Sequence, residues 1–227
     1  MTIRAILFDL DNTLIDFWKF KNVCVNSAVD AMIKAGLKTD KKRAGKIMWS
    51  IYDEFGMEYQ YIFQEFFKRI GRKFDYRIFV HALMAYRKAR TGLLVSYPGV
   101  RKTLIKLKKR YKLAIISDAP KMKAWMRLAA MNIDSLFDVV LTFEDTGKRK
   151  PHHLPFINAI KKLGLKPGEI LMVGDSLSRD MAGAKALGMK TVLAVYGRTL
   201  KPKKKPENVD FMIDRIDRLT EIVRRIR

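Results

Sequence analysis

From residue 97 onward the hydrophobic pattern switches period again and again, and this alternation limits the fold more than any other feature of the chain. "VRKTLIKLKKR" (100–110) has helical spacing, and "KLAIIS" (112–117) is a short apolar run. "KMKAWMRLAAM" (121–131) is helical again, followed by the strand-like "FDVVLT" (137–142). The same exchange repeats through "HLPFINAIKKLG" (153–164), "EILMVGD" (169–175), "SRDMAGAKALG" (178–188) and "KTVLAV" (190–195). A short strand near Phe211-Met212 and a helix over 215–226 complete the series. Short β-branched runs separated by helices predict a parallel sheet covered by helices on both faces. "IRAILFD" (3–9) carries the same buried-strand signature and belongs to that sheet.

Residues 16–93 break the rule. They show helical spacing and almost no strand signal. One helix is expected around Val23 to Ile33 and a second around Ile47 to Phe55. Two more are expected over "YQYIFQEFFKRIG" (59–71) and "YRIFVHALMAYRKARTG" (76–92). The aromatics Trp18, Trp49, Tyr59, Tyr61, Phe63, Phe66 and Phe67 at these spacings predict a bundle core. The expected organisation is therefore an α/β domain made of residues 1–15 and 94–227, with an all-helical domain of residues 16–93 inserted after the first strand.

Composition narrows the function. Lysine and arginine number 46 against 23 acids, a net charge of +23. Such a field attracts anions, from phosphorylated metabolites to nucleic acids. The excess is scattered over 38–46, 106–112, 147–150, 201–206 and 224–227, which reads as solvated surface rather than a nucleic-acid face. No apolar run reaches the length of a membrane span, and no secretory signal stands at the N-terminus, so a cytoplasmic protein is expected. Cys24 is the single cysteine and excludes an internal disulfide; its neighbours Val23, Val25 and Ala28 suit a small buried hydrophobe.

In parallel α/β sheets ligands bind beyond the carboxyl ends of the strands. The first strand ends in Asp9 and Asp11, and the next in Ser117 and Asp118. The third is followed by "EDTGKRKP" (144–151), and the fourth runs into "GDSLSRD" (174–180) with Asp175 and Asp180. Several acids on one rim repel each other unless a cation joins them. Mg²⁺ suits carboxylates and phosphate oxygens, and Lys150 and the Ser117 hydroxyl are natural partners for a phosphoryl group.

"DLDNT" (9–13), Ser117, Lys150 before Pro151, and "GDSLSRD" (174–180) resemble, in order, the four motifs of the haloacid dehalogenase superfamily. The helical insertion resembles that family's type 1 cap, and the core its Rossmann-like sheet. The resemblance implies a Mg²⁺-dependent phosphatase acting on a small phosphorylated metabolite. It implies Asp9 as nucleophile and Asp11 as general acid and base. It further implies Asp9, Asp175, Asp180 and the main-chain carbonyl of Asp11 at the metal, and Ser117 and Lys150 at the phosphoryl group, with Asp118 beside them. Lys150 rather than Lys148 is expected to serve, because Lys-Pro is the family's pairing. Haloacid dehalogenases of the same family lack the second acid, so Asp11 favours the phosphatase over a 2-haloacid dehalogenase. A polyanion-binding module on the same fold is the other alternative. His152-His153 departs from the family pattern, and with only His81 and Cys24 elsewhere it does not make a zinc site.

Overall fold

The computed structural model describes residues 2–92, 94, 96–200, 202 and 204–226. Leu93 at the edge of the predicted insertion lies outside the described residues. So do Lys201, Lys203 and Arg227 of two predicted basic stretches. The chain divides into two compact units, Met1–Phe17 with Val95–Arg227, and Trp18–Leu94.

The first unit holds one six-stranded sheet: β1 (Ala5–Phe8), β2 (Lys112–Ile116), β3 (Val139–Leu141), β4 (Ile170–Gly174), β5 (Lys190–Ala194) and β6 (Phe211–Ile213). All pairings are parallel and the order is β3-β2-β1-β4-β5-β6. β1 lies at the centre, with Leu7 beside Ala114 of β2 and Met172 of β4. Connections run one way from β1 through β2 to β3 and the other way from β4 to β6. The strand order therefore reverses between β1 and β4, where α/β sheets open a crevice.

β1 shows why these strands read as unbroken apolar runs. Ala5 and Leu7 pack in one cluster with Phe156, Ala159 and Leu163 of the helix His153–Leu163. Ile6 and Phe8 are equally buried, and alternation aims them at the opposite face. Both faces are thus covered. Val100–Lys108 and Lys121–Ala130 connect β1's side of the sheet to β3, while Leu219–Arg225 packs on Val100–Lys108.

In chain order the helices are α1 (Phe17–Lys34), α2 (Lys41–Phe55), α3 (Ile62–Arg69), α4 (Tyr76–Gly92), α5 (Val100–Lys108), α6 (Lys121–Ala130), α7 (Phe143–Thr146), α8 (His153–Leu163), α9 (Ala182–Ala186) and α10 (Leu219–Arg225). The expected helix over 178–188 is divided. A π-helical turn, Leu177–Met181, precedes a short α9. Its cause is local: the Asp180 carboxylate turns inward to accept the Ser176 N–H at 3.0 Å.

The second unit is helical throughout its regular elements, α1 to α4. Asp40 starts α2 by accepting the Arg43 N–H at 2.8 Å. Its core takes Val25, Val29 and Met32 from α1, Met48 and Tyr52 from α2, Phe63, Phe66 and Phe67 from α3, and Ala82 from α4. The aromatic expectation needs correction at two places. Trp18 and Tyr61 are exposed, and Trp49 and Tyr59 are only half-buried. Amphipathic rings at helix edges cover apolar surface without entering the core. Cys24 is fully buried.

Candidate active site

The acids gather because β1 and β4 are neighbours in register. The Asp9 N–H donates to the Val173 carbonyl at 2.9 Å, so Asp9 leaves the sheet beside the residues that end β4. Carboxylate oxygens of Asp9, Asp175 and Asp180 lie within 4.8 Å of one another, and all three residues are buried. Gly174 makes the approach possible, since a Cβ there would lie 2.4 Å from Asp180 Oδ2.

Lys150 enters the same cluster from 141 residues away in sequence. Its Nζ lies 2.5 Å from Asp9 Oδ1 and 2.7 Å from Asp180 Oδ1, and it also donates to the Ile116 carbonyl at 3.2 Å. Burial works against its charge, but Asp180, Asp9 and Asp118 outweigh it and hold the ammonium above its ordinary range. Asp118 supplies the tether: its Oδ1 accepts the Lys150 N–H at 2.9 Å and its Oδ2 pairs with Arg179 at 3.3 Å. Ser117 ends β2 with its N–H on the Leu141 carbonyl, and its buried Oγ accepts the Ala119 N–H at 3.2 Å.

Asp11 stands apart from the three clustered acids. Its Oδ2 accepts from Arg127 Nη1 at 2.6 Å, and the Arg127 guanidinium lies 4.6 Å from the centre of the Phe17 ring. Asn12, with φ of 61°, turns the chain directly after Asp11; asparagine tolerates this left-handed conformation better than most residues. The histidine pair serves the fold: the rings stack, and His152 Nδ1 accepts the Leu154 N–H at the start of α8.

Several side chains at the site escape sequence reasoning. Thr13 Oγ1 donates to Asp9 Oδ2 at 3.0 Å. Arg127 is buried on α6 beside Ala124 and Leu128, and a charge at an apolar helical position is its only signal. Arg179 hides inside "GDSLSRD". Tyr196 and Arg198 follow β5 and reach Thr13 and Asp175 through main-chain carbonyls.

The electrostatics point outward, to something not made of protein. Burial, then Asp9 and Asp180, push the Asp175 carboxyl up to about 8. Burial also raises Asp180, with Lys150 opposing it. Asp175 Oδ1 is buried with no hydrogen-bond partner. Around the cluster, among the described residues, the carboxylates of Asp9, Asp118, Asp175 and Asp180 face the cations Lys150 and Arg179. Three buried carboxyl groups share the Lys150 ammonium, an excess of acid that a divalent cation would offset. An all-oxygen donor set with one orphaned buried oxygen fits a hard cation of the Mg²⁺ type.

The chain is similar to known proteins over nearly its whole length. The chain is 35% identical to a glyceraldehyde 3-phosphate phosphatase of Methanocaldococcus jannaschii, over 99% of both chains. It is 33% identical to the enzyme of that name from Pyrococcus furiosus, over 98% of this chain and 94% of the relative. A crystal structure of a HAD phosphatase from Thermococcus onnurineus superposes with a TM-score of 0.68 at 28% identity, covering 97% of this chain and 98% of that one. The profile of haloacid dehalogenase-like hydrolases matches residues 6–194, from inside β1 to the end of β5. With sheet order, strand-end acids and near full-length relatives in agreement, the chain belongs to the haloacid dehalogenase-like hydrolase family.

Proposed function

We propose that this chain is a Mg²⁺-dependent phosphatase that hydrolyses a small phosphate monoester through an aspartyl-phosphate on Asp9. The observation that carries the reading is the buried meeting of Asp9, Asp175 and Asp180 with Lys150 at the β1/β4 crevice. The archaeal relatives make glyceraldehyde 3-phosphate the first substrate to try.

Asp9 and Asp175, with Asp180 and the Asp11 carbonyl, would hold Mg²⁺. When bound, it offsets carboxylate repulsion and lets an anionic substrate approach an anionic nucleophile. Thr13 and Lys150 each take one Asp9 oxygen and fix the plane of the carboxylate. An Asp9 oxygen attacks phosphorus as the bond from phosphorus to the ester oxygen breaks, and the protonated Asp11 carboxyl gives that oxygen its proton. The Asp11 carboxylate then takes a proton from water. The resulting hydroxide attacks phosphorus, releases phosphate, restores the free Asp9 carboxylate and leaves Asp11 protonated for the next turnover. Lys150 and the Ser117 hydroxyl bind phosphoryl oxygens, while Asp118 keeps Lys150 in place and Arg127 steadies Asp11. The helical unit is the cap of this family's architecture, and substrate choice is its role. The cytoplasm, where such metabolites occur, is the compartment that suits this reaction.

The test is hydrolysis of an aryl phosphate and of glyceraldehyde 3-phosphate with and without Mg²⁺. Activity is expected to need the metal, to vanish with chelator, and to fall by about 10³-fold or more in Asp9→Asn. Metal-independent turnover, or halide release from a 2-haloacid, would overturn the reading.

A further inference from the structure

Tyr196 sits in the short turn Val195–Gly197 that follows β5, and no motif singles it out. Its hydroxyl donates to the Thr13 carbonyl at 2.8 Å, bridging 183 residues of sequence. The Thr13 hydroxyl in turn donates to Asp9 Oδ2 at 3.0 Å. We infer that Tyr196 is a positioning residue for Asp9, acting through Thr13; the inference rests on the phosphatase reading given above.

Three further observations show that this turn is built against the nucleophile loop. A Cβ at Gly197 would lie 1.6 Å from the Asn12 carbonyl oxygen, so only glycine lets the two backbones meet. Arg198 Nη1 donates to the Asp175 carbonyl at 2.5 Å, so the next residue holds the loop after β4. The Tyr97 ring packs edge-on to Tyr196 with centroids 4.8 Å apart, and the Tyr97 N–H donates to the Leu14 carbonyl. The Thr13 and Leu14 carbonyls are therefore held by Tyr196 and Tyr97, and Gly197 packs closely on the Asn12 carbonyl.

The hydroxyl, rather than the bulk of the ring, aims this contact. Tyr196 and Tyr97 line a cavity of about 600 Å³ beside α5, so the ring has open space on one side. Burial keeps the phenol protonated well above its ordinary range, with Tyr97, Asp175 and Asp9 adding to the effect, so it remains a donor. If the hydroxyl is lost, the peptide that carries the Thr13 carbonyl is held only by the Leu14 N–H on the Leu10 carbonyl, and the threonine side chain that fixes Asp9 loses part of its support. A nucleophile misaimed by a fraction of an ångström loses rate more than binding.

The experiment is a set of variants assayed with an aryl phosphate and saturating Mg²⁺, with thermal unfolding measured on each. Tyr196→Phe keeps the ring and removes the donor. Its kcat is expected to fall about threefold to tenfold, with KM within about twofold of wild type. The same change made in Thr13→Val is expected to cost nothing further, because the path to Asp9 is already cut. Made in Thr13→Ser, which retains the donor, it is expected to restore the full loss. Multiplying effects in the Thr13→Val background, or an unchanged kcat in Tyr196→Phe, would overturn the inference. A general loss of folding is distinguished by a fall in melting temperature that tracks kcat in every background, and it too would overturn it. Asp9→Asn run alongside separates the two claims: if that variant stays active, the phosphatase reading fails first.

Discussion

Both units bury ionisable groups, but they satisfy them in opposite ways. In the helical unit, Lys21 is buried and its Nζ donates to the Tyr86 hydroxyl at 3.0 Å. The ammonium lies 4.2 Å from the centre of the Tyr52 ring, and the two phenol oxygens are 3.2 Å apart. Burial pushes the Tyr52 phenol up to about 12 and the Cys24 thiol up to about 11, so both stay neutral. The Glu58 carboxylate is near enough to act on both phenols. Here a buried cation has a hydroxyl acceptor and aromatic rings of its own unit.

At the strand ends the network is open. Three buried carboxyl groups share the Lys150 ammonium, one Asp175 oxygen has no partner, and its carboxyl is displaced to about 8 by burial and by its acidic neighbours. Such an arrangement lowers stability in the absence of a ligand. The comparison teaches that a closed buried network contributes to the fold, whereas an open one marks where the molecule meets something else.

The contrast can be broken most severely at Asp175. In Asp175→Asn, catalysis is expected to collapse, and the rise in melting temperature on adding Mg²⁺ to disappear. That rise corresponds to about 2.7 kcal/mol at a hundredfold excess over Kd in wild type. The metal-free variant is expected to be more stable than metal-free wild type at neutral pH, by on the order of 1 kcal/mol, because folding no longer has to protonate a carboxyl that is ionised in the unfolded chain. Calorimetry with and without chelator reads both effects, and a metal-free variant less stable than wild type would remove the claim of an open network. The smaller effect belongs to the helical unit. Tyr86→Phe is expected to destabilise by about 1–3 kcal/mol, since Lys21 and Tyr52 each lose a buried partner. Denaturant unfolding measures it. The stabilisation gained from Mg²⁺ is expected to stay as in wild type; a parallel loss would erase the distinction between the two networks.

Much of this was legible in the sequence. Alternating periods identify the parallel sheet because strands covered on both faces must be apolar throughout, as β1 and β4 are. The rule that ligands meet strand ends predicts one rim for Asp9, Asp175 and Asp180, and the resemblance to the family's Lys-Pro pairing points to Lys150, whose Nζ lies against Asp9 and Asp180. What escaped has a common physical cause. Arg127 and Tyr196 act through contacts 116 and 183 residues apart, and neither periodicity nor motif spacing encodes a single long side chain reaching across the fold. The π-helical turn at Leu177–Met181 escaped as well, because it follows from the Asp180 carboxylate turning inward rather than from helix propensity. Trp18 and Tyr61 misled because aromatic spacing marks a helix face without saying how deeply its edge is buried.

The proposed reaction requires Asp9 to become covalently bound to phosphorus. The most direct measurement is to quench the enzyme in acid during turnover of a phosphate monoester with Mg²⁺, reduce any acyl phosphate with borohydride, and map the altered residue by peptide mass spectrometry. The expected result is modification of the peptide spanning residues 5–15 at Asp9 alone, absent when Mg²⁺ is chelated. Turnover with no modified carboxylate, or with the label on Asp11 or Asp175 instead, would contradict it.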